Sequence, residues 1–521
     1  MYLLGIDNGG SDIKCAVYDL NGKELAISRT QIPMNIPEAG FTERDVENVW
    51  EANVKVIKAV LKKAEIPGED VVAIGVAGYG NGMVLLDEEG KPVYPAIIST
   101  DERASSYCKK FREDGTEKKI FPYTLQTTWA AQPAVLLPWF RDHKPEVLEK
   151  TKWIMSMKDY IRFRLTGKVA GEITDASSGC LVNLDTRRYD RRIFEILGIE
   201  DCYSKMPKIL ESTDISGYVT KEAEKMTGLT EGTPVAAGYF DIDANALASG
   251  VLSDQELCLI AGTWSINEYL SKEAPREIEK KKNTVTLSYM KDYYIMEDST
   301  PTSASNLNWY MNHLVRPEKQ ELSADEIYIV CNKQVESVKP EECKVIFVPY
   351  LFGSATHENA HGAFLNLTGG DDKSVMLRAV YEGIAFSSMH HVYNLKRSLE
   401  TYSKARLSGG ISNSEVWSQM LCDALQIPIE TLEAGEPGAK GAAMCAGVAG
   451  GVFKNLEDAV EHMVHVGKVY KPRSEYKEIY AEKFARYEAA LAAVDLLAEV
   501  AVALLLFGPC KILFRSEHDR S

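Results

Sequence analysis

Apolar and polar positions alternate in short blocks from the first residues onward. Leu3-Leu4-Gly5-Ile6 is apolar, Asp7 to Asp12 is polar and glycine-bearing, and Ile13 to Tyr18 is largely apolar again. Asp19-Leu20-Asn21-Gly22 turns the chain, and Lys23 to Thr30 follows. Asn-Gly tolerates positive φ, so this pattern predicts three strands joined by tight turns. The period then changes. Val46, Val49, Trp50, Asn53, Ile57, Val60, Leu61 and Ala64 recur mostly at three- and four-residue steps, which predicts an amphipathic helix stopped by Pro67-Gly68. Val71 to Val76 reads as a strand and Met83 to Leu86 as another. The glycines of Gly78-Tyr79-Gly80-Asn81-Gly82 between them let the backbone turn sharply or approach a ligand. Strands mixed with amphipathic helices predict an α/β fold. From Phe121 to about Ile215 the chain is more helical and aromatic, and reads as an insertion covering the first domain.

A second unit is expected near Gly232-Thr233-Pro234. Val235 to Gly238 reads as a strand end and Asp241 to Ala248 as a helix start. Glu256 to Ala261, the turn Gly262-Thr263 and Trp264 to Leu270 repeat the opening plan of strand, small-residue turn and strand. Two cores on one plan predict a cleft between them. Helices are then expected at Lys373 to Leu399, Ser414 to Leu425, Gly441 to Gly451 and Glu475 to Leu497, with strands at Lys404 to Leu407 and Ile429 to Leu432. The most apolar stretch, Ala489 to Gly508, is interrupted by Asp495 and Glu499; its uncharged part, Val500 to Gly508, is too short to span a bilayer. It reads as a terminal packing helix with an apolar tail.

Composition narrows the function classes. Of the 521 residues, 45% are apolar, enough for ordinary cores. Lys plus Arg is 59 and Asp plus Glu is 75, a net charge of −16, which disfavours nucleic-acid and anionic-membrane surfaces but leaves room for a local anion site. The ten cysteines contain no CxxC pair and are scattered, as free thiols in a reducing cytoplasm are. The first residues read as a strand, not a signal peptide. His357 and His361 are four apart, but the sequence between them is not HExxH and no third zinc ligand is evident.

Several turns carry candidate chemistry. Asp7-Asn8-Gly9-Gly10-Ser11 lies on a tight turn that can aim N–H groups at phosphate oxygens, while Asp7 reaches a Mg2+-bound water and Lys14 balances charge. A plain glycine hairpin is the alternative. There is no Walker P-loop, and a Rossmann fingerprint would need a following helix. Gly262-Thr263 and Ser408-Gly409-Gly410 are two further polar turns after apolar strands, and three such turns point to a nucleotide site. Asp241 is the preferred general base; an N-cap is the bland alternative. Asp243, two residues on, falls on a different helix face. Asp101, in Asp101-Glu102-Arg103, can hold sugar hydroxyls or belong to a solvated charge run. Trp129 can wall a small polar substrate or sit in the core.

The motifs, taken in order, resemble those of the FGGY family of carbohydrate kinases from residue 3 to about 490. They are Asp7 to Ser11, Phe41-Thr42-Glu43-Arg44-Asp45, Ser99 to Ala104, Gly262-Thr263-Trp264, Ser299 to Leu307 and Pro349 to Ser354. The resemblance implies two actin-like, ribonuclease-H-like domains with an ATP and sugar cleft between them: residues 1–245 mainly for sugar, 246–495 mainly for ATP, and an atypical tail at 496–521. It implies that Asp7 lies near Mg2+ and phosphate and that Asp241 deprotonates the acceptor hydroxyl. It puts Gly262 and Thr263 at a second phosphate turn, Gly409, Gly410 and Asn413 beside adenosine, Asn81 and Gly82 at the sugar, and Asp101 on the rim of that pocket. The implied reaction transfers phosphate from ATP to a sugar, L-xylulose first; D-xylulose, L-ribulose, erythritol and gluconate are the alternatives. Small sugar or polyol and ATP are the implied partners, with no nucleic acid and no membrane, and a homodimer is left open. There are departures: Gly10 stands where most members have Thr, Asp12 adds a negative charge, Ile242 follows the base, and Asn81-Gly82 carries no charged pair. These argue against glycerol. A non-catalytic actin-like ATP-binding module and a sugar-binding regulator are the rival classes; Asp7 and Asp241 weigh against the regulator.

Overall fold

The computed structural model describes residues 1–262, 265–278, 284–300, 303–319, 321–354, 359–395, 401–433 and 435–507. The chain forms two compact units. The first comprises Met1–Ser253, Leu270–Met296 and Glu433–His465; the second comprises Asp254–Tyr269, Glu297–Leu432 and the chain from Val466 onward.

The first unit is built on a mixed sheet of β1 (Tyr2–Asn8), β2 (Asp12–Tyr18), β3 (Glu24–Gln31), β4 (Val71–Gly78), β5 (Ile215–Tyr218), β6 (Pro234–Ala236) and β7 (Tyr239–Phe240). The order is β5-β6-β4-β1-β2-β3, with β7 also paired to β4. β1, β2 and β3 form the expected antiparallel meander, and β4 runs parallel to β1. The opening turn is tighter than its polar run suggested, because Asp7 and Asn8 still belong to β1 and Asp12 already to β2.

Helix α1 (Val46–Ala64) packs against β2 and β3 with the face that the periodicity marks; Asp45 caps it by accepting from the Asn48 N–H. A later helix, Pro437–Ala449, lies on β1 and β4. Burial from two sides explains the unbroken apolar runs of the parallel pair. The approach is very close. A β-carbon on Gly5 would lie 1.8 Å from the Ala439 carbonyl oxygen, and one on Gly75 1.9 Å from that of Ala442. Only glycine fits at both positions.

The helical insertion begins earlier than expected, at Ser105, and has its own core with Leu136, Leu137, Phe140, Ile154 and Phe194. Two of its later helices, α2 (Met157–Thr166) and α3 (Ile173–Ser178), and the helix α4 (Asp241–Ala248) surround the ends of β4 and β7.

The second unit repeats the plan. Strands Glu256–Ala261 and Ser265–Ser271 form an antiparallel hairpin, and Lys404–Ser408 runs parallel to the first of them. Ile429–Leu432 is parallel to Lys404–Ser408, and Val466–Tyr470 is antiparallel at the edge. Helices Lys373–Leu395, Glu415–Leu425 and Lys477–Phe507 belong to this unit. A hairpin continued by parallel strands, twice in one chain, is the ribonuclease-H-like architecture expected. Among the described residues no helix is long and apolar enough to cross a membrane. The nine described cysteines are buried and free.

Candidate functional site

Three strands of the first sheet end side by side. Asn8 of β1 lies opposite Gly78 of β4, and Gly78 lies opposite Phe240 of β7. The Gly9–Ser11 turn, the Tyr79–Gly82 loop and helix α4 therefore leave the sheet together, at the carboxyl ends of parallel strands. Asn8 and Asn53 exchange side-chain hydrogen bonds of 3.2 and 2.8 Å, which fix the end of β1 on α1. The Arg44 guanidinium donates to the carbonyls of Gly9 and Gly10. It ties those oxygens back, while Gly10 and Ser11 stay exposed.

Asp7 is 5% exposed and lies 3.7 Å from the Lys14 ammonium. Burial pushes its carboxyl up to about 6; Lys14 opposes the shift, and Glu436 and Asp12 add to it. Lys14 itself lies 2.9 Å from Glu436 and 3.8 Å from Asp12. Burial alone would lower the ammonium, yet the three carboxylates outweigh it and hold it above its ordinary range. The amino end of helix 437–449 presses on the same carboxylate: a β-carbon on Gly438 would lie 2.6 Å from Asp7 Oδ2.

Asp7 Oδ1 has no hydrogen-bond partner among the described residues. A buried carboxylate oxygen of this kind suits a cation. Among the described residues no cluster of three or more His, Cys, Asp or Glu is arranged to hold a metal alone. Mg2+ keeps several waters and takes phosphate oxygens beside one or two carboxylates, so Asp7 fits that ion.

Asp241 is the first residue of α4, one position inside the helix. Phe240 occupies the N-cap position, so the capping role is not the one Asp241 has. The Asp241 carbonyl accepts from Asn245 Nδ2 at 2.7 Å. A helix amino end favours a negative charge there. Asp243 is fully buried and accepts from the Tyr289 N–H at 2.9 Å, whereas Asp241 is only half-buried.

Asn81 and Gly82 both adopt positive φ, at 65° and 66°. The Gly82 N–H donates to the Ala131 carbonyl at 2.7 Å, and a β-carbon on Gly82 would meet the Ile97 carbonyl at 2.2 Å. Asn81, the 97–101 segment and the Trp129 loop thus lie together. Trp129 is 48% exposed and not a core residue. Asp101 is buried, so it does not form a solvated charge run. Its oxygens accept from the Thr42 N–H at 2.7 Å and from three groups of Arg103 at 2.9 to 3.0 Å.

In the second unit, strands Glu256–Ala261 and Lys404–Ser408 run in register, with Ile260 opposite Ser408. Gly409 therefore lies against the end of the first strand: a β-carbon on it would lie 2.6 Å from the Ala261 carbonyl oxygen and 3.0 Å from the Gly262 nitrogen. Gly262, Gly409, Gly410 and Asn413 are brought into one neighbourhood, the last three exposed. Thr263 lies outside the described residues, as does His357. Arg44 and Glu436 were not singled out by sequence. Arg44 stands inside a quoted motif, but Glu436 meets Lys14 across 422 residues, a pairing no local spacing reveals.

Comparison with known proteins decides the class. Residues 2–248 match the N-terminal domain, and residues 257–450 the C-terminal domain, of the FGGY family of carbohydrate kinases. The chain belongs to this family. This FGGY kinase is 32% identical over 496 residues to a probable L-xylulose kinase of Pasteurella multocida, covering 94% of this chain and 98% of the relative. It is 32% identical to the L-xylulose/3-keto-L-gulonate kinase of Escherichia coli over 494 residues, 95% and 97% of the two chains. Among solved structures, the fold is similar to that of ligand-bound xylulose kinase from Lactobacillus acidophilus, with a TM-score of 0.86 at 23% identity, covering 95% of this chain and 98% of the other. The chain is thus an ATP-dependent carbohydrate kinase of this family, and ATP and Mg2+ are the family's common requirements.

Proposed function

We propose that this kinase phosphorylates a ketopentose, with L-xylulose as its preferred acceptor, and that Asp241 is the general base. The observation that carries this reading is the convergence of Asp7, the Gly9–Ser11 turn, Asn81-Gly82 and Asp241 at one end of the first sheet. Asp241 accepts the proton as the sugar oxygen attacks the γ-phosphate. N–H groups of Gly9, Gly10 and Ser11, with Lys14, meet the charge on the transferring oxygens. Gly262, Thr263, Gly409, Gly410 and Asn413 serve the nucleotide. Asp7 would hold Mg2+, directly or through water, and the ion supplies charge neutralisation on phosphate. Asn81, Gly82 and Trp129 wall the sugar, with Asp101 on the rim; its paired carboxylate keeps the rim rigid. A neutral Asn81 suits an uncharged ketose. The names of the Pasteurella and Escherichia relatives support L-xylulose. The nine buried free thiols suit work in a reducing compartment.

ADP release with MgATP tests this across L-xylulose, D-xylulose, L-ribulose, erythritol, gluconate, 3-keto-L-gulonate and glycerol. The highest kcat/KM is expected with L-xylulose. A different preferred sugar would move the acceptor and keep the chemistry. Folded, ATP-binding protein with no sugar-stimulated rate would overturn the reading.

A further inference from the structure

Behind the candidate base, α2 and α3 enclose a buried cluster of charges. Lys158, Arg162, Asp159, Glu172 and Asp175 are each 4% exposed or less. Lys158 Nζ lies 2.8 Å from Asp159, 3.2 Å from Glu172 and 3.7 Å from Asp175. Arg162 pairs with Asp159 at 3.1 Å. Charges this deep are costly unless they are paired and hydrogen-bonded.

The cluster grips the segment that leads into Asp241. Arg162 donates to the Ala237 carbonyl at 2.8 Å. The Gly238 N–H donates to the Ser212 carbonyl at 3.0 Å, and the Ser212 hydroxyl donates to Glu172 at 2.6 Å. Glu172 caps α3: it accepts from the N–H groups of Thr174 and Asp175 and, at 2.8 Å, from the Thr174 hydroxyl. That hydroxyl then accepts from the N–H of Phe240 at 2.9 Å. Phe240 is the N-cap position of α4, immediately before Asp241. A helix N-cap usually receives its hydrogen bonds from its own side chain or neighbours. Here the junction is held from outside, by a residue 66 positions earlier.

We infer that Thr174 is a positioning residue for Asp241: its hydroxyl, oriented by Glu172, fixes the backbone at Phe240 and so the place from which the Asp241 carboxylate reaches the acceptor. This rests on the reading of Asp241 as base. A hydroxyl that donates to a carboxylate is polarised into a better acceptor, which strengthens the bond to Phe240. Valine matches threonine in shape but can neither donate nor accept, whereas serine can do both. Reaction rates respond steeply to placement, and displacements near 1 Å cost about a hundredfold.

The test compares Thr174→Val, Thr174→Ser and Asp241→Asn, with each Thr174 variant also made in the Asp241→Asn background. Thr174→Val is expected to lower kcat roughly ten- to a hundredfold. The KM for ATP should stay unchanged, and Thr174→Ser should recover most of the rate. In the Asp241→Asn background, Thr174→Val should cost little further, because the group it places is already gone. Thr174→Val with wild-type kcat, or a full additional loss on top of Asp241→Asn, would overturn the inference alone. Normal turnover in Asp241→Asn would overturn the base reading and the inference with it. If Thr174→Val does not fold, Thr174→Ala against Thr174→Ser gives the same comparison.

Discussion

Gly438 lies so close to Asp7 that a β-carbon on it would sit 2.6 Å from Asp7 Oδ2 and 2.8 Å from the carboxyl carbon. The backbone at the amino end of helix 437–449 is thus one wall of the site that Asp7 occupies. Gly438→Ala must displace either that helix or the carboxylate. The expected result is a rise of roughly tenfold in the Mg2+ concentration that half-saturates ADP release, with sugar KM little altered. A metal titration identical to wild type would show that the Asp7 carboxylate does not serve the ion.

Replacing Asp241 by Asn keeps its size and removes its basicity. Turnover should fall by about 10²–10⁴, the usual contribution of a positioned base. Sugar and ATP dissociation constants, read by calorimetry, should stay within a few-fold of wild type. Tight binding lost together with turnover would make Asp241 a binding group only.

Burial pushes the Asp175 carboxyl up to about 7, against the attraction of Lys158. In the unfolded chain it ionises near its ordinary value of 3.8. Between these values the folded protein retains a proton that the unfolded chain has released, so this group's contribution to stability falls as pH rises from about 4 to 7. Asp175→Asn removes the slope. The Tm of the variant, measured against wild type from pH 4 to 8, should gain relative to wild type as pH increases. A difference constant with pH would reject the account.

Lys158 is the only ammonium described in its charge cluster, and the carboxylates of Asp159, Glu172 and Asp175 hold it charged against a burial effect that would lower it. Lys158→Met leaves those carboxylates facing one another with Arg162 alone. A loss of about 3–5 kcal/mol is expected, as for other buried pairs broken from one side. Urea denaturation reads it directly, and an unchanged midpoint would mean that the cluster relaxes or hydrates without cost.

Much of this was legible in local pattern. The meander at the start, helix 46–64 with its buried face, and the repeated hairpin at 256–271 follow from periodicity and turn chemistry, which are short-range. The glycine turns and Asp241 were legible as candidates because strand ends with small residues are where ligands approach. The rest depends on which strand ends become neighbours. Asp101 looks like an exposed charge until Thr42 and Arg103 enclose it. Lys158 and Arg162 are charged residues one helical turn apart, and only the fold reveals that both are buried, Lys158 among Asp159, Glu172 and Asp175 and Arg162 against the carbonyls of Ala170 and Ala237. Thr174 carries no signal at all, since its partner Phe240 is apolar and is met through its backbone.

The fit of helix 437–449 against Gly5 and Gly75 also bears on how the chain is made. The first strand it covers precedes it in the chain by about 430 residues. At roughly 5–20 residues per second, that face of the sheet waits about 20–90 s on the ribosome for its partner. Its apolar strands are exposed meanwhile, so nascent chains truncated before residue 437 should engage holdase chaperones and resist compaction. Release should come within a short window once the helix has cleared the exit tunnel.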